Sequence, residues 1–152
     1  MKTFLLAFFT ITLVLIPTDT DATPSYEDMV EQYVNFGAVA KSPDRYDCKK
    51  WVALFTENGT ASAPGAPPAS GSKELFGDCE GTRGLFNQLY AFQTRILPVG
   101  TSRLAFEWNI VGVLNSTGAS VHVPAITTWE MDSSGGKIQH AKDFFDPTPL
   151  RL

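Results

Sequence analysis

One carboxylate stands out as able to do chemistry. Asp143 lies in Lys137-Ile-Gln-His-Ala-Lys-Asp-Phe-Phe-Asp146, which reads as a final β-strand. Asp132-Ser-Ser-Gly-Gly136 is a turn before it, and Pro147 closes it. Alternate residues of a strand share a face, so Gln139, Ala141, Asp143 and Phe145 form one set. Ile138, His140, Lys142 and Phe144 form the other. An acid between Ala141 and Phe145 sits either at a solvent edge or inside an apolar pocket. Inside, loss of water favours the neutral acid and makes the group a usable general acid or base. Spacing alone leaves both readings open.

Two more polar side chains share the phase of that pocket. Tyr33 falls in the middle of a helical apolar stripe, and Thr127 falls on the apolar face of the preceding strand with Trp129. Phe106, Trp108 and Ile110 form one face of a third strand. The constellation is one acid, one phenol, one hydroxyl and an aromatic wall completed by Phe145. It suits a flat apolar ligand with an oxygen at one end. Tyr33 would hydrogen-bond a developing oxyanion while Asp143 moves a proton. Core packing explains the aromatic residues equally well taken singly.

The elements that must position these groups follow from a change of period. Thr23-Pro24 reads as a helix start, and Tyr26, Met29, Val30, Tyr33, Val34 and Gly37 recur at helical spacing to about Ala40. Ser42-Pro43-Asp44 restarts a second helix, with Cys48, Trp51, Val52 and Phe55 as its stripe and Asn58-Gly59 as its stop. Thr60–Ala63 reads as a short strand. Pro64–Gly71 is an irregular loop. A third helix, capped by Ser72, carries Leu75, Phe76, Cys79, Leu85, Phe86, Leu89 and Tyr90, with a break near Gly81. Beyond Phe92 the period becomes two, giving strands over 95–99, 103–114, 119–131 and 137–146. Pro124, which has no N–H to give a ladder, marks a bulge or an edge. Helices first and an antiparallel meander afterwards is an α+β plan, with a cavity between long helix and curved sheet.

Composition narrows the function classes. Phe4–Ile16 is an apolar run behind Lys2, too short to span a bilayer comfortably, and Thr20-Asp-Ala22 offers a small-residue cleavage site. Residues 1–22 are therefore expected to be a signal peptide and 23–152 one secreted domain. No later stretch is long enough to cross a membrane. The formal net charge of −4 gives no nucleic-acid footprint. Cys48 and Cys79 are expected to pair in an oxidising compartment, contributing ~3–4 kcal/mol through loop closure, with two free thiols as the alternative. Asn58-Gly-Thr60 and Asn115-Ser-Thr117 are glycosylation sequons, each placed in a turn. No metal set is expected: His122 and His140 are not at ligand spacing, and can meet only on the outer sheet face. No nucleophile or phosphate-loop motif is present, and the reading calls for no cofactor.

Three phrases carry a family resemblance: Trp51-Val-Ala-Leu-Phe-Thr-Glu-Asn-Gly59, Pro64-Gly-Ala-Pro-Pro68 and Trp129-Glu-Met-Asp132, the last followed by Gly136-Lys-Ile138 and Phe144-Phe-Asp146. In that order, from about Tyr26 to Pro147, the chain resembles the SnoaL-like branch of the nuclear transport factor 2-like superfamily, which includes ketosteroid isomerases and polyketide cyclases. The resemblance implies a cone-shaped α+β barrel, often dimeric through its outer sheet face, with a pocket between long helix and sheet. It places Tyr33 where the isomerases keep an oxyanion-binding tyrosine. Their usual base falls on Ala63, so it is absent, and their second oxyanion acid falls on Thr127. Asp143 stands where they carry a small pocket-lining residue. The expected function is an isomerase, lyase or cyclase acting on a small apolar carbonyl compound. The alternatives are a carrier of a small apolar ligand without chemistry, and a dimeric interaction module.

Overall fold

The computed structural model describes residues 25–35, 47–100 and 102–150. The expected signal peptide, Thr23-Pro24 and the Ser42-Pro43-Asp44 helix start lie outside the described residues. Among the described residues, three helices and a six-stranded sheet follow in the order α1 (Tyr26–Val34), α2 (Cys48–Ala53), β1 (Phe55–Ser62), β2 (Ala69–Ser70), α3 (Gly71–Gly84), β3 (Phe86–Pro98), β4 (Arg103–Leu114), β5 (Ser120–Met131) and β6 (Ile138–Phe145). A 3-10 turn spans Thr148–Leu150. The strand order is β2-β1-β6-β5-β4-β3, and all pairings are antiparallel except β1 with β6. The sheet curls strongly, giving the α+β cone that the resemblance implies.

Local chemistry sets the helix bounds. Ser25 caps α1 by accepting from the Asp28 N–H, and Asn35 ends it by donating its side-chain N–H to the Glu31 carbonyl at 3.0 Å. The described helix ends at Val34, and Gly37 and Ala40, expected to continue it, lie outside the described residues. Its buried stripe of Met29, Val30, Tyr33 and Val34 faces the core. Asp47 caps α2 through the Lys50 N–H at 2.7 Å.

The α2 stripe does not extend to Phe55, which opens β1 instead. Asn58-Gly59 lies within that strand and stops no helix. A Cβ at Gly59 would come within 2.9 Å of the Phe55 Cβ, so glycine permits the tight irregularity between Phe55 and Thr60. The short strand expected at Thr60–Ala63 is thus the end of a longer β1, and with β2 it makes the order α-α-β-β-α before the meander rather than three helices first.

Helix α3 begins at Gly71 behind Ser70, not at a Ser72 cap, and runs unbroken through Gly77 and Gly81 to Gly84. A Cβ at any of these three glycines would meet nothing within 4 Å, so they lie on its open side. Cys79 on its inner side forms a disulfide with Cys48 at the start of α2, with a Cα–Cα distance of 5.7 Å. Phe86, Leu89 and Tyr90, expected in this helix, belong to β3. The register of β3 on β4 shifts between Phe86 and Gln88, and that extra residue puts the inward Phe86 and Leu89 three apart, imitating a helical period.

The meander carries the phase expected of it. β4 alternates strictly, with Leu104, Phe106, Trp108 and Ile110 buried, and β5 buries Val121, Val123, Ala125, Thr127, Trp129 and Met131. Pro124 is in neither a bulge nor an edge strand. It faces Asn109 of β4 and lies one residue beyond the last β5–β6 pair, Ala125 with Phe145, where β6 asks for no N–H. In β6 the register slips by one residue, because Glu130 pairs with His140 while Met131 pairs with Ile138. Gln139 bulges out, so Ile138 is buried with Ala141 and does not share the His140 face.

Candidate functional site

The β6 bulge fixes the parity of everything after it. Ala141, Asp143 and Phe145 lie opposite Trp129, Thr127 and Ala125 on the inner face. Above them comes Tyr33, delivered by the buried stripe of α1. Its ring packs among Trp51, Phe106 and Trp129 at centroid distances of 5.5, 5.9 and 5.2 Å. These contacts pin the ring and leave the hydroxyl to make the polar contact. That hydroxyl donates to Asp143, 3.1 Å from Oδ1 and 3.4 Å from Oδ2.

A second donor holds the acid from the sheet. Thr127, fully buried, donates its hydroxyl to Asp143 Oδ1 at 2.5 Å and accepts the indole N–H of Trp108 at 2.9 Å. The indole fixes which way the threonine proton points, because an N–H can only donate and Thr127 must then give its own proton onward. Oδ1 is thus doubly held, while Oδ2 has only the longer phenol contact and keeps free lone pairs.

Charge follows from this setting. Burial pushes Asp143 up from 3.8 to about 6, against the opposing pull of the Thr127 and Tyr33 hydrogen bonds, and the nearby Asp78 charge adds to the rise. Near neutral pH the group is mostly ionised yet close to its protonation point, the condition for a proton carrier. Burial, then the Asp143 charge, hold the Tyr33 hydroxyl well above its ordinary value, so it stays a neutral donor.

Asp143 and Tyr33 open onto a cavity of about 250 Å³. Trp108, Ile110 and Phe145 line it as well. Phe106, Thr127 and Trp129, expected in the ligand wall, do not. They lie behind it as core, and Thr127 acts on the cavity only through Asp143. The loop after β1 adds Ala63 and Pro64, and Ala63 presents a methyl group to the cavity.

Asp78 also lines the cavity, and sequence reasoning missed it. The signal was present: Leu75, Asp78, Cys79 and Thr82 recur at three and four residues along α3. Burial pushes its carboxyl up, and neither a hydrogen bond nor an opposite charge among the described residues offsets that. Among the described residues, no Lys, Arg or His lines the cavity.

The histidines stay apart on the outside. His122 bonds Asn109 at 2.8 Å and His140 bonds Thr60 at 2.9 Å, on different strands' flanks, so the outer-face meeting does not occur. Among the described residues no group of three or more His, Cys, Asp or Glu could hold a metal ion, and no helix is long and apolar enough to cross a membrane. Of the sequons, Asn58 is exposed on β1 rather than in a turn. Asn115 is exposed in the β4–β5 turn and donates its side-chain N–H to the Gly84 carbonyl at 2.8 Å.

This fold recurs in solved structures. A protein from Jannaschia described as a SnoaL-like polyketide cyclase superposes with a TM-score of 0.66 at 14% identity, covering 86% of this chain and 93% of that one. The chain has the nuclear transport factor 2-like fold. A Bacillus subtilis protein described as an isomerase shares this fold with a TM-score of 0.64 at 20% identity, over 81% and 89% of the two chains. A protein with a ketosteroid isomerase-like fold from Catenulispora acidiphila, solved with trimethylamine, gives 0.64 at 16% identity over 76% and 83%. No protein-family model and no curated protein matches the sequence.

Proposed function

We propose that the cavity takes a small, largely apolar molecule and that Asp143 moves a proton on it, as an isomerase, lyase or cyclase of carbonyl compounds would. One observation carries this reading: a carboxylate raised to about 6 stands in an apolar cavity wall with one oxygen clamped by two hydroxyls and the other held only by the longer phenol contact. Ionised Asp143 takes the proton from a C–H beside the carbonyl, on Oδ2. Thr127 keeps its bond to Oδ1 throughout. Once Asp143 is neutral it needs the phenol less, and Tyr33 can turn its O–H to the oxygen on which charge has grown. In the resting site that proton is engaged with Asp143, so the oxyanion role requires this turn.

The methyl of Ala63 in the wall favours a second reading, a carrier that binds without turnover. Deuterium incorporation separates the two. The protein is incubated in heavy water with a panel of small cyclic ketones, and exchange beside the carbonyl is followed by NMR. Exchange above the buffer rate that is lost in Asp143→Asn supports catalysis. Ligand binding with unchanged exchange in that variant leaves the carrier.

We further propose that the chain is secreted, with 1–22 removed and Asn58 and Asn115 carrying glycans; the disulfide suits that compartment. A homodimer through the outer sheet face would cover Phe92, Ile126 and Phe144, which are exposed there. Mass measurement of the secreted protein and its mass in solution test these two points.

A further inference from the structure

We infer that Asp78 makes the cavity selective for a substrate carrying a positively charged amine. The inference rests on the small-molecule reading above and names the ligand class. Three observations lead to it. The cavity holds two carboxylates from different elements, Asp78 on α3 and Asp143 on β6, and among the described residues no basic side chain lines it. The two acids differ in their partners. Asp143 has Tyr33 and Thr127, whereas Asp78 is half-buried with neither a donor nor a cation among the described residues to offset its lost water. A carboxylate left in that condition is costly unless something in the cavity supplies the missing donors. Finally, the remaining walls are rich in aromatic rings, Tyr33, Trp51, Phe86, Trp108 and Phe145, whose faces attract a cation where a neutral polar group would gain little.

An ammonium group meets all three conditions. It brings N–H donors to the unserved carboxylate, balances the charge that Asp78 and Asp143 place in one apolar space, and rests against rings. Asp78 would hold the charged end while Asp143 works on the C–H end, so binding and proton transfer fall to separate acids.

The test compares benzylammonium with benzyl alcohol, its uncharged analogue of similar size, by calorimetric titration of the full chain at neutral pH. The expected result is binding of benzylammonium about tenfold tighter than the alcohol. In Asp78→Asn that preference falls below about threefold, through weaker binding of benzylammonium. Equal affinities in the unaltered protein, a comparison that needs no variant, overturn the inference and leave the cavity reading standing. A preference that survives Asp78→Asn, or Asp78→Ser should the first variant misfold, also overturns it. Failure of both ligands to bind defeats the inference and the small-molecule reading together.

Discussion

The cavity has two acidic walls built on opposite plans. On the sheet side, Asp143 is gripped by Tyr33 from α1 and Thr127 from β5, with Trp108 orienting the threonine. On the helix side, Asp78 has no such grip among the described residues, and the helix that bears it is fastened by the neighbouring Cys79–Cys48 disulfide. The difference teaches that a shared residue type in a shared cavity does not fix a shared role. A clamped carboxylate has its free oxygen aimed and its protonation point tuned. An unclamped one has its place held by the backbone and its bonding capacity left for a guest.

Neutralising the clamped acid should have the largest effect. Asp143→Asn should lower turnover of any substrate roughly 10²–10⁴-fold while ligand affinity persists, since a positioned proton carrier supplies about that factor. Steady-state rates alongside titration check it; an unaffected rate would make Asp143 a mere wall. Next in size is the helix side. Replacing Cys48 and Cys79 together by alanine should cost ~3–4 kcal/mol of stability in chemical denaturation, because the unfolded chain regains its loop freedom.

A third prediction concerns stability and pH. Folded Asp143 titrates near 6 against an ordinary 3.8, so the folded state holds the proton more tightly. Its contribution is therefore most favourable below about pH 4 and is lost as pH rises through 6, amounting to up to about 3 kcal/mol. Asp143→Asn should be more stable than the original chain at pH 7 by up to that amount, with the gap closing towards pH 4. Denaturation midpoints across this range measure it.

The smallest effects are the sharpest discriminator. Thr127→Val removes a hydrogen bond to the charged form and should move the acid limb of the rate profile upward from about pH 6. Asp78→Asn removes a like charge and should move the same limb downward. Shifts of opposite sign confirm that one group tunes by bonding and the other by field; shifts of the same sign would dissolve the distinction.

How legible the molecule was depended on whether the local period was undisturbed. β4 and β5 alternate without interruption, so Trp108, Thr127 and Trp129 could be phased from spelling alone. Tyr33 was legible because α1 has a regular stripe. Where a register shift intervened, reading failed: Phe86 and Leu89 looked helical because a bulge had stretched their spacing to three, and Phe55 continued the α2 stripe although Leu54 had already ended it. Asp78 was hidden for another reason. A charged residue on a glycine-rich helix reads as solvated even when, as here, it keeps step with Leu75 and Cys79 on the inner side. The division of Phe106 and Trp129 from Trp108 was also beyond periodicity, since phase gives the inward face but not which inward residues meet empty space.

The outward kink at Gln139 has a consequence for how this pocket could change. A strand has only two sides, and that supernumerary residue decides which of them His140, Lys142 and Phe144 take. Excising Gln139 would straighten the ladder and leave every later pair where it stands. Keeping it while ironing out the kink, with Ile138 still matched to Met131, would instead swing an imidazole and a lysine into the hollow and expel the acid. The electrical sign of the chamber thus hangs on one residue staying out of step.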